Sequence, residues 1–345
     1  MKILFVGDSW LGSNARSLKE ALGRSPGVQV DEINVDLFIP NFSKRPLRAV
    51  NRLIRAVEIS EMKRGVLNAC EDFQPDLIVI YKGQFLDADF IRLLQTRYAP
   101  VTNVFPDLSP HVHGSTLRST MDTYDLVIST KAFHPGLWKE VYGYSNRCVH
   151  VSHGYDPSLH LRDAPSDYHT HDVVMIASGR TEYEALVRDL LRLHQNLRIA
   201  VGGGRWERRG LESIPGVTLI GEKFGWSYVG WLRRAKIVIA PVQTVVHADG
   251  KQQPGDEVSA RTFECAAAYA FFMHRRTAEA RQLYDETTEV PMYDTPAELG
   301  EKIAFYLSAP AARESMAAAA HARAVPAYSM DSRATEIIQL LKNLV

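Results

Sequence analysis

The chain has 345 residues, of which 46% are hydrophobic and 23% are charged, and its 40 lysines and arginines equal its 40 aspartates and glutamates in number. A chain of this length can bury a large core and has room for about two domains. The balanced charge supplies no global field for nucleic acid or an anionic membrane, so we expect no nucleic-acid partner and only local polyanion sites.

Targeting and redox signals are weak. The opening residues, MKILFVGDSW, are apolar for only about five positions, which is too short for the core of a signal peptide. No run approaches the ~20 apolar residues of a membrane helix. We therefore expect a cytoplasmic protein. Cys70, Cys148 and Cys265 are odd in number and far apart, which favours reduced thiols over a disulfide framework or a metal knuckle.

In the first half of the chain, short apolar runs rich in β-branched residues alternate with segments of helical periodicity. This alternation predicts parallel strands covered by helices. Amphipathic helices are predicted in SNARSLKEALGRS and DADFIRLLQTRY. The predicted strands are KILFVG (2–7), VQVDEINV (28–35), DLIVIYK (76–82), VTNVF (101–105), DLVIST (125–130) and CVHVSHG (148–154).

A second series of strands begins after a segment rich in Pro, Asp, Ser and His. Helices are predicted in TEYEALVRDLLRLH and in VSARTFECAAAYAFF (258–272). The predicted strands are DVVMIASG (172–179), LRIAVGGG (197–204), VTLIGE (217–222) and KIVIAPV (236–242).

Two such series predict an α/β fold with two doubly wound, Rossmann-like domains. The predicted organisation is an N-terminal domain (1–155), a linker (156–171), a C-terminal domain (172–325) and a last helix (326–345) that packs back on the N-terminal domain. Open parallel sheets bind ligands at the carboxyl ends of their strands, so we expect the site in a central cleft that both sheets face.

The stretch GDEVSARTFECAA (255–267) carries charges among small and apolar residues. Asp256 is a candidate N-cap or first-turn acid of the predicted helix. Glu264 follows eight residues later, which would place it on nearly the same helix face. Arg261 is within reach of Glu264 or Glu257, so one interpretation is a surface ion pair. The other is a ligand site, because charges among apolar neighbours are costly unless they are paired or bound.

An acid, seven intervening residues and a Glu form a pattern that resembles retaining glycosyltransferases of the GT-B fold. Residues 255–325 resemble more closely the spore-maturation-type (CgeB-like) branch, and KILFVGDSWLGS, PDLIVIYKG, YDLVIST and VSHGYDPSLH resemble it more loosely. The resemblance implies a nucleotide-diphosphate sugar, such as a UDP-sugar, bound mainly by the C-terminal domain. It also implies an acceptor bound mainly by the N-terminal domain, and no cofactor or metal ion.

Individual roles follow from that resemblance. Glu264 would contact the ribose, and Asp256 or Glu257 would contact the transferred sugar. Arg180 would stabilise the leaving diphosphate. It follows Gly179 at a strand end before a helix, so this loop can offer backbone amides to a phosphate together with the cation. Related enzymes carry a Lys five residues after this Arg, whereas this chain has Ala185.

Substitutes for the missing lysine are Lys223 and Arg261. The strand end around Gly221 is where such enzymes hold the base. Arg180 and Lys223 also have a simpler interpretation, as solvated loop residues without a role in binding. A plain turn is the favoured interpretation for the three glycines 202–204.

The N-terminal domain supplies further candidates. The loop at Gly12 leads from a strand into a helix and could approach a phosphate, or could be a simple capped turn. His111 and His113 have no third ligand at a useful spacing for a metal site. His113 is instead a candidate contact to the transferred sugar, because a histidine in this region often has that role in the family; a loop histidine without a role is the favoured interpretation.

Residues 44–64 hold seven basic and two acidic side chains around an apolar face of Leu47, Val50, Ile54 and Val57. A surface helix packed on its own sheet is the favoured interpretation. A weak contact with an anionic membrane surface is the alternative.

The sequence thus predicts a metal-independent glycosyltransferase, with retention of configuration, whose acceptor is an unidentified glycan, lipid-linked molecule, protein or small molecule. One alternative is a nucleotide-sugar-binding relative with weak or no activity, which Ala185 leaves open. The other is a GT-B sugar-nucleotide epimerase.

Overall fold

A computed structural model describes residues 1–40, 45–113, 115–161, 170–248 and 251–345. The side chains of residues 45–53, 112, 113, 115, 116, 208, 246–248 and 251 fall outside this description. The chain divides into two compact units. Unit 1 comprises Met1–His153, Val245–Pro254 and Met330–Val345; unit 2 comprises Gly154–Thr244 and Gly255–Ser329.

Strands and helices alternate along the amino-terminal part of the chain. Its strands are β1 (Lys2–Gly7), β2 (Gln29–Asn34), β3 (Leu77–Tyr81), β4 (Val101–Phe105), β5 (Leu126–Ser129) and β6 (Arg147–His150). Its helices are α1 (Asn14–Arg24), α2 (Val35–Phe38), α3 (Arg45–Phe73), α4 (Ala88–Arg97), α5 (Ser115–Thr120) and α6 (His134–Trp138).

The same alternation continues after residue 153. The strands are β7 (His171–Ile176), β8 (Ile199–Gly202), β9 (Val217–Gly221), β10 (Ala235–Ala240), β11 (Val245–Ala248), β12 (Lys251–Pro254), β13 (Phe272–Arg275) and β14 (Met292–Tyr293). The helices are α7 (Pro157–His160), α8 (Thr181–Leu193), α9 (Gly225–Arg233), α10 (Ala260–Ala267), α11 (Ala278–Leu283), α12 (Pro296–Ser308), α13 (Pro310–Ala324) and α14 (Met330–Leu341).

The sheet of unit 1 has, within the described residues, six parallel strands in the order β2-β1-β3-β4-β5-β6. Helices α1 and α14 pack together over one face, where Leu18 and Ile337 lie in the same buried cluster as Ile3. The chain moves to one side of β1 for β2 and to the other side for β3. Strands β1 and β3 therefore form a topological switch point, where open α/β sheets bind ligands.

The sheet of unit 2, counted over the described residues, also has six parallel strands, in the order β14-β13-β10-β7-β8-β9. Strands β8 and β9 lie on one side of β7, whereas β10, β13 and β14 lie on the other. The switch point of this sheet is therefore between β7 and β10. The loops that leave these two strands carry Arg180 and Pro241.

The predicted α/β class with two parallel sheets is confirmed, and the predicted strands match the observed ones to within a few residues. The helix predicted over 258–272 is wrong in its second half. Helix α10 ends at Ala267, Tyr269 has φ of 59°, and Phe272 begins β13. An apolar run can form a buried helix or a buried strand, and here pairing with β10 decides.

The segment predicted as a linker, 156–171, contains the short helix α7, in which Leu159 and His160 are buried. Residues 162–169 lie outside the described part of the chain. The first segment of unit 1 ends at His153. The β11–β12 hairpin, which was not predicted from the sequence, belongs to unit 1 although its neighbours in sequence belong to unit 2.

Helix α3 contains the basic segment that the sequence analysis singled out. Met62 and Val66 are buried on it, whereas Ile54 and Val57 of the predicted apolar face are exposed. Lys44 and the side chains of Leu47 and Val50 lie outside the described residues. The described basic side chains of this segment each pair with a carboxylate: Arg55 with Glu58, Lys63 with Asp87 and Arg64 with Glu61. No helix in the described ranges is long and apolar enough to cross a membrane.

Candidate active site

Helix α10 is anchored at its N terminus by a chain of polar contacts. The Ser259 N–H donates to Thr262 Oγ1 at 3.1 Å, and this hydroxyl lies 2.9 Å from His274 Nε2 on β13. His274 Nδ1 lies 2.7 Å from the Arg275 carbonyl oxygen. Because a carbonyl only accepts, the proton is on Nδ1 and Nε2 accepts from Thr262. This chain ties α10, with Arg261 and Glu264, to the sheet.

Burial lowers the pKa of His274 from its ordinary 6.5 to about 4, against the opposing effect of the bond to the Arg275 carbonyl, and the Arg261 charge lowers it further. We expect the free energy of unfolding to fall as the pH drops from about 6.5 toward 4. Over this range His274 is protonated in the unfolded chain but stays neutral in the native protein. The loss should be about 2 kcal/mol between pH 7 and pH 5.

The measurement is urea unfolding of the full chain at both pH values. His274→Asn is the comparison variant, because burial also lowers the pKa of His134 in unit 1, to about 3, with the same sign. The variant should show a smaller loss than the wild type. An equal loss in both proteins would contradict the assignment to His274.

Glu264 is buried, with only 8% of its surface exposed. Its Oε2 accepts a hydrogen bond from the Tyr228 hydroxyl at 2.8 Å, and its Oε1 lies 3.9 Å from His160 Nε2. Tyr228 belongs to α9 and His160 to α7. Helix α7 packs against both α9 and α10. The carboxylate is thus oriented by side chains from two other helices.

Tyr228 is fixed as a donor to this carboxylate. Burial raises the pKa of Tyr228 well above 10, and the nearby negative charge of Glu264 raises it further. The phenol therefore stays protonated across the physiological pH range and donates its hydrogen bond to the Glu264 carboxylate. Neither Tyr228 nor His160 was predicted from the sequence as a partner of Glu264. The run GWSYVGW is rich in aromatic residues, but nothing in it points to Glu264.

Asp256 and Glu257 precede α10 and are not part of it. The N-cap is Ser259, so the predicted role of Asp256 as N-cap or first-turn acid is wrong, and it does not share a helix face with Glu264. The Asp256 N–H donates to the Gln243 carbonyl at 2.7 Å, in the loop that follows β10. Tertiary structure, rather than helical periodicity, therefore places Asp256 near the switch point of this sheet.

Glu257 is half-buried and is hydrogen-bonded to α11. Its Oε2 accepts from the Glu279 N–H at 2.7 Å, in the first turn of α11. Its carbonyl accepts from the Thr277 hydroxyl at 2.7 Å. A carboxylate at a helix N terminus satisfies an orphan backbone donor and faces the positive end of the dipole. Glu257 thus holds α11 in place.

Arg261 forms no ion pair with Glu257 or Glu264 among the described residues, so the predicted surface pair is absent. Its Nη2 lies 3.5 Å from the Pro241 carbonyl oxygen, just after β10, a long and weak hydrogen bond. Its buried Nε has no hydrogen-bond partner in the described part of the chain. Arg261 therefore has an N–H donor at the switch point that is free to bind a ligand. A buried donor without a partner is unfavourable, so a ligand that accepted from it would remove this cost.

The phenol of Tyr183 on α8 lies within electrostatic reach of three charged side chains near the switch point, Arg180, Arg261 and Asp256. Burial raises the pKa of Tyr183, Arg261 and Arg180 lower it, and Glu182 and Asp256 raise it. All these charges therefore act on one phenol at the start of α8. Arg180, which immediately precedes α8, lies partly exposed in the loop after β7. The structure thus brings together Arg180, Arg261 and Asp256, which are distant in sequence.

Gly179 has a packing role that the sequence analysis did not foresee. Its N–H donates to the Gly204 carbonyl at 2.8 Å, and its own carbonyl accepts from Arg209 Nη2 at 3.3 Å. A Cβ there would lie 2.9 Å from the backbone of Arg205 and Trp206. The amide that we expected to face a phosphate is therefore used within the protein, as a correction to that expectation.

Gly202 ends β8, and Gly203 and Gly204 form the turn that follows it, so the favoured interpretation holds for these two glycines. Gly203 has φ of 113°, and Trp206 donates from Nε1 to the Ala177 carbonyl at 2.7 Å. Gly221 ends β9 with φ of 67°, and its carbonyl accepts from the Gly203 N–H at 2.9 Å. Lys223 is partly exposed and, in the described ranges, makes no hydrogen bond or ion pair. It precedes α9, which carries Tyr228.

The candidates in unit 1 lie at the ends of its strands. Gly12 has φ of 94° and precedes Ser13, whose hydroxyl accepts from the Ala15 and Arg16 N–H groups and so caps α1. His111 contacts Tyr142 edge to face, with ring centroids 5.3 Å apart. His113 ends a short 3-10 turn, and its side chain lies outside the described residues.

Within the described ranges, no three His, Cys, Asp or Glu side chains are grouped so that they could hold a metal ion.

The carboxyl-terminal part of the chain is similar to a known protein family. Residues 180–339 match the family model of glycosyl transferase-like domains. No curated protein sequence matches the chain. Among solved structures, the chain is similar to Anabaena HepE in complex with UDP-glucose (15% identity, TM-score 0.66, covering 100% of both chains).

Two further solved structures are similar. One is sucrose-phosphate synthase from Thermosynechococcus elongatus (13% identity, TM-score 0.66, covering 100% of this chain and 99% of that one). The other is the UDP-GlcNAc 2-epimerase from Neisseria meningitidis bound to UDP-GlcNAc (12% identity, TM-score 0.54, covering 99% and 100%). The fold is therefore GT-B, and the glycosyl transferase-like model matches residues 180–339 of it.

Proposed function

We propose that the protein is a glycosyltransferase that moves a sugar from a nucleotide-diphosphate sugar to an acceptor, with retention of configuration. The observation that carries the proposal is that Arg180 lies in the loop after β7, while Arg261 and Asp256 are bonded to the loop after the neighbouring strand β10. The buried carboxylate of Glu264 follows Arg261 by one turn of α10. These residues lie in or next to the part of the chain that matches the glycosyl transferase-like model.

In this proposal the two arginines hold the diphosphate. Departure of a nucleoside diphosphate develops negative charge, and stabilising that charge is usually the largest catalytic effect. Arg261 has donor capacity at the switch point, and Arg180 leaves the adjacent strand. Ala185, where related enzymes carry lysine, is exposed on α8. We assign the missing cation's work to Arg261, with Lys223 as a second contributor.

Glu264 receives the ribose diol in this proposal. Tyr228 occupies one lone pair of Oε2, and the remaining acceptor positions of a carboxylate suit two neighbouring hydroxyls. Asp256 takes the sugar-contacting role, because Glu257 is bonded to α11. Backbone groups near Gly221 hold the base. We extend the family assignment to the spore-maturation-type (CgeB-like) branch on the resemblance of residues 255–325.

No metal ion takes part in the proposed reaction, since the two arginines supply the positive charge that a metal would otherwise supply. A UDP-sugar is the proposed donor, in line with the UDP-sugar ligands of two structural neighbours. The competing functions are a nucleotide-sugar-binding protein without turnover and a sugar-nucleotide epimerase. The similarity of the Neisseria meningitidis epimerase in fold keeps the epimerase as a second candidate.

A ligand screen followed by a turnover assay tests the proposal. We expect UDP or another nucleoside diphosphate to raise the melting temperature, since a ligand of the native state stabilises it by mass action. Slow release of free sugar and nucleoside diphosphate should follow on incubation with the matching donor and EDTA. Binding without consumption of any donor would contradict the transferase. Conversion of the donor to its epimer, without release of the nucleoside diphosphate, would favour the epimerase instead.

A further inference from the structure

Unit 1 contains a cavity of about 380 Å³ at the carboxyl ends of β1, β2 and β3. Its walls include Asp8, which follows β1, and Lys82, which follows β3. Since β1 and β3 form the switch point of the first sheet, the cavity lies where the topology of such a sheet places ligands. Its volume falls within the roughly 300–1,000 Å³ of small-molecule sites.

Two carboxylates in the wall are held by one oxygen each. Asp8 Oδ2 accepts from the Ser13 hydroxyl at 2.9 Å, and Asp36 Oδ2 accepts from the Ser9 N–H at 2.9 Å. Within the described residues, the Oδ1 atoms of both side chains accept no hydrogen bond. Each carboxylate is therefore oriented by the protein and keeps acceptor capacity for hydroxyl groups.

Two cations complete the polar part of the wall. Lys82 Nζ lies 3.1 Å from Asp107 Oδ2, and the Arg55 guanidinium lies over the Phe85 ring, 5.6 Å from its centroid. Lys82 has φ of 67°, a conformation that non-glycine residues rarely adopt and that concentrates at ligand sites. The two acidic and two basic side chains balance, which disfavours a polyanionic occupant.

The remaining wall is mostly apolar and includes aromatic rings. Trp10 is 42% exposed beside the cavity, and Phe85 lies under Arg55. A saccharide ring has hydroxyls around its rim and an apolar face of C–H groups. Rim carboxylates and cations match the hydroxyls, and an aromatic ring matches the apolar face. An aliphatic occupant would leave the carboxylates desolvated without partners, at a large cost.

We propose that this cavity binds a neutral saccharide, and that the acceptor of the transferred sugar is therefore a carbohydrate. The assignment as acceptor rests on the proposed function, whereas the binding of a saccharide does not. Asp8 and Asp36 accept hydrogen bonds from its hydroxyls, and Trp10 packs against a face of the ring.

Saturation-transfer NMR on the full chain without nucleotide tests the proposal. The probes are the methyl glucosides and galactosides, N-acetylglucosamine, maltose and lactose, with octanoate, p-nitrophenol and inorganic phosphate as non-saccharide probes. We expect at least one saccharide to bind, and Asp8→Asn and Asp36→Asn each to weaken it at least fivefold. Asp89→Asn, at an exposed carboxylate on α4, is the matched control and should bind normally.

Trp10→Ala provides the same test without disturbing the hydrogen bonds of Asp8 or Asp36, should either asparagine variant fail to fold. It should also weaken the saccharide at least fivefold. The proposal is overturned if no saccharide binds, if only octanoate, p-nitrophenol or phosphate binds, or if the folded variants bind the saccharide as well as the wild type does.

Nucleotide binding, measured in parallel, separates the two proposals. Donor consumption without any saccharide binding would overturn the cavity assignment and leave the transferase intact. Saccharide binding that depends on Asp8 and Asp36, in a protein that binds no nucleoside diphosphate, would overturn the transferase and support the cavity assignment.

Discussion

Glu264→Gln is expected to weaken binding of the nucleoside diphosphate by roughly 5- to 150-fold, which corresponds to about 1–3 kcal/mol for a lost hydrogen bond to a buried charge. Glu264 is 8% exposed and is oriented by Tyr228 at 2.8 Å, so its carboxylate enters binding already in position. A preorganised acceptor costs less to engage than one that must be ordered first. Isothermal titration calorimetry measures the change.

A deoxynucleotide makes this test specific to the ribose. The 2′-deoxy form of the same diphosphate should bind the wild type more weakly, and most of that difference should disappear in Glu264→Gln. Glu301→Gln, at an exposed glutamate on α12, is the matched control. Unchanged nucleotide affinity in Glu264→Gln, or an undiminished deoxy effect, would sink the ribose assignment.

Glu264 also has a structural task, which a second variant separates. Tyr228→Phe removes the hydrogen bond to Glu264 but leaves its charge. We expect this variant to lower the melting temperature and to weaken the nucleotide less than Glu264→Gln does. If the two variants lost stability equally and neither lost nucleotide affinity, Glu264 would serve only to join α7, α9 and α10.

Arg261→Ala is expected to weaken the nucleoside diphosphate by about 10- to 150-fold and to leave the bare nucleoside nearly unchanged, since hydrogen bonds to charged groups contribute about 1.5–3 kcal/mol. Its guanidinium lies at the switch point, where Nε has no partner in the described part of the chain. Turnover should fall further than affinity, because negative charge on the diphosphate grows as the sugar departs.

Comparison with other arginines sharpens this expectation. Arg180→Ala should show the same preference for the diphosphate, and Arg192→Ala, at an exposed arginine later on α8, should show none. Arg261→Lys should recover part of the affinity, since it retains charge but not the planar set of donors. Equal losses for nucleoside and diphosphate in Arg261→Ala would show that Arg261 only supports the packing around Tyr183.

Most of the fold could be predicted from local sequence patterns. Runs such as DLIVIYK and DVVMIASG are short, apolar and rich in β-branched residues, and both became central parallel strands. Such runs are predictable because a strand buried on both faces must be apolar throughout. FFMHR is equally apolar in part, but its strand state depends on a neighbour that is remote in sequence. The hairpin of β11 and β12 also carried no recognisable local signal.

The candidate site divides in the same way. The pattern of acid and glutamate in GDEVSARTFECAA singled out Asp256, Arg261 and Glu264 without any structure. Helical periodicity then placed Asp256 on α10, whereas the chain bends before Ser259 and binds the loop after β10 instead. Its proximity to Arg180 arises from strand order, which no local spacing encodes.

Residue chemistry along the chain thus determined the α/β class, the two series of strands and the charged stretch that marks the site, because burial and periodicity are local properties. The tertiary structure alone decided that Tyr228 and His160 flank Glu264, that Glu257 is used by α11, and that the Gly179 amide is already bonded. These contacts join residues that are 22 to 104 positions apart. Only the packing of separate elements brings such residues within hydrogen-bond distance.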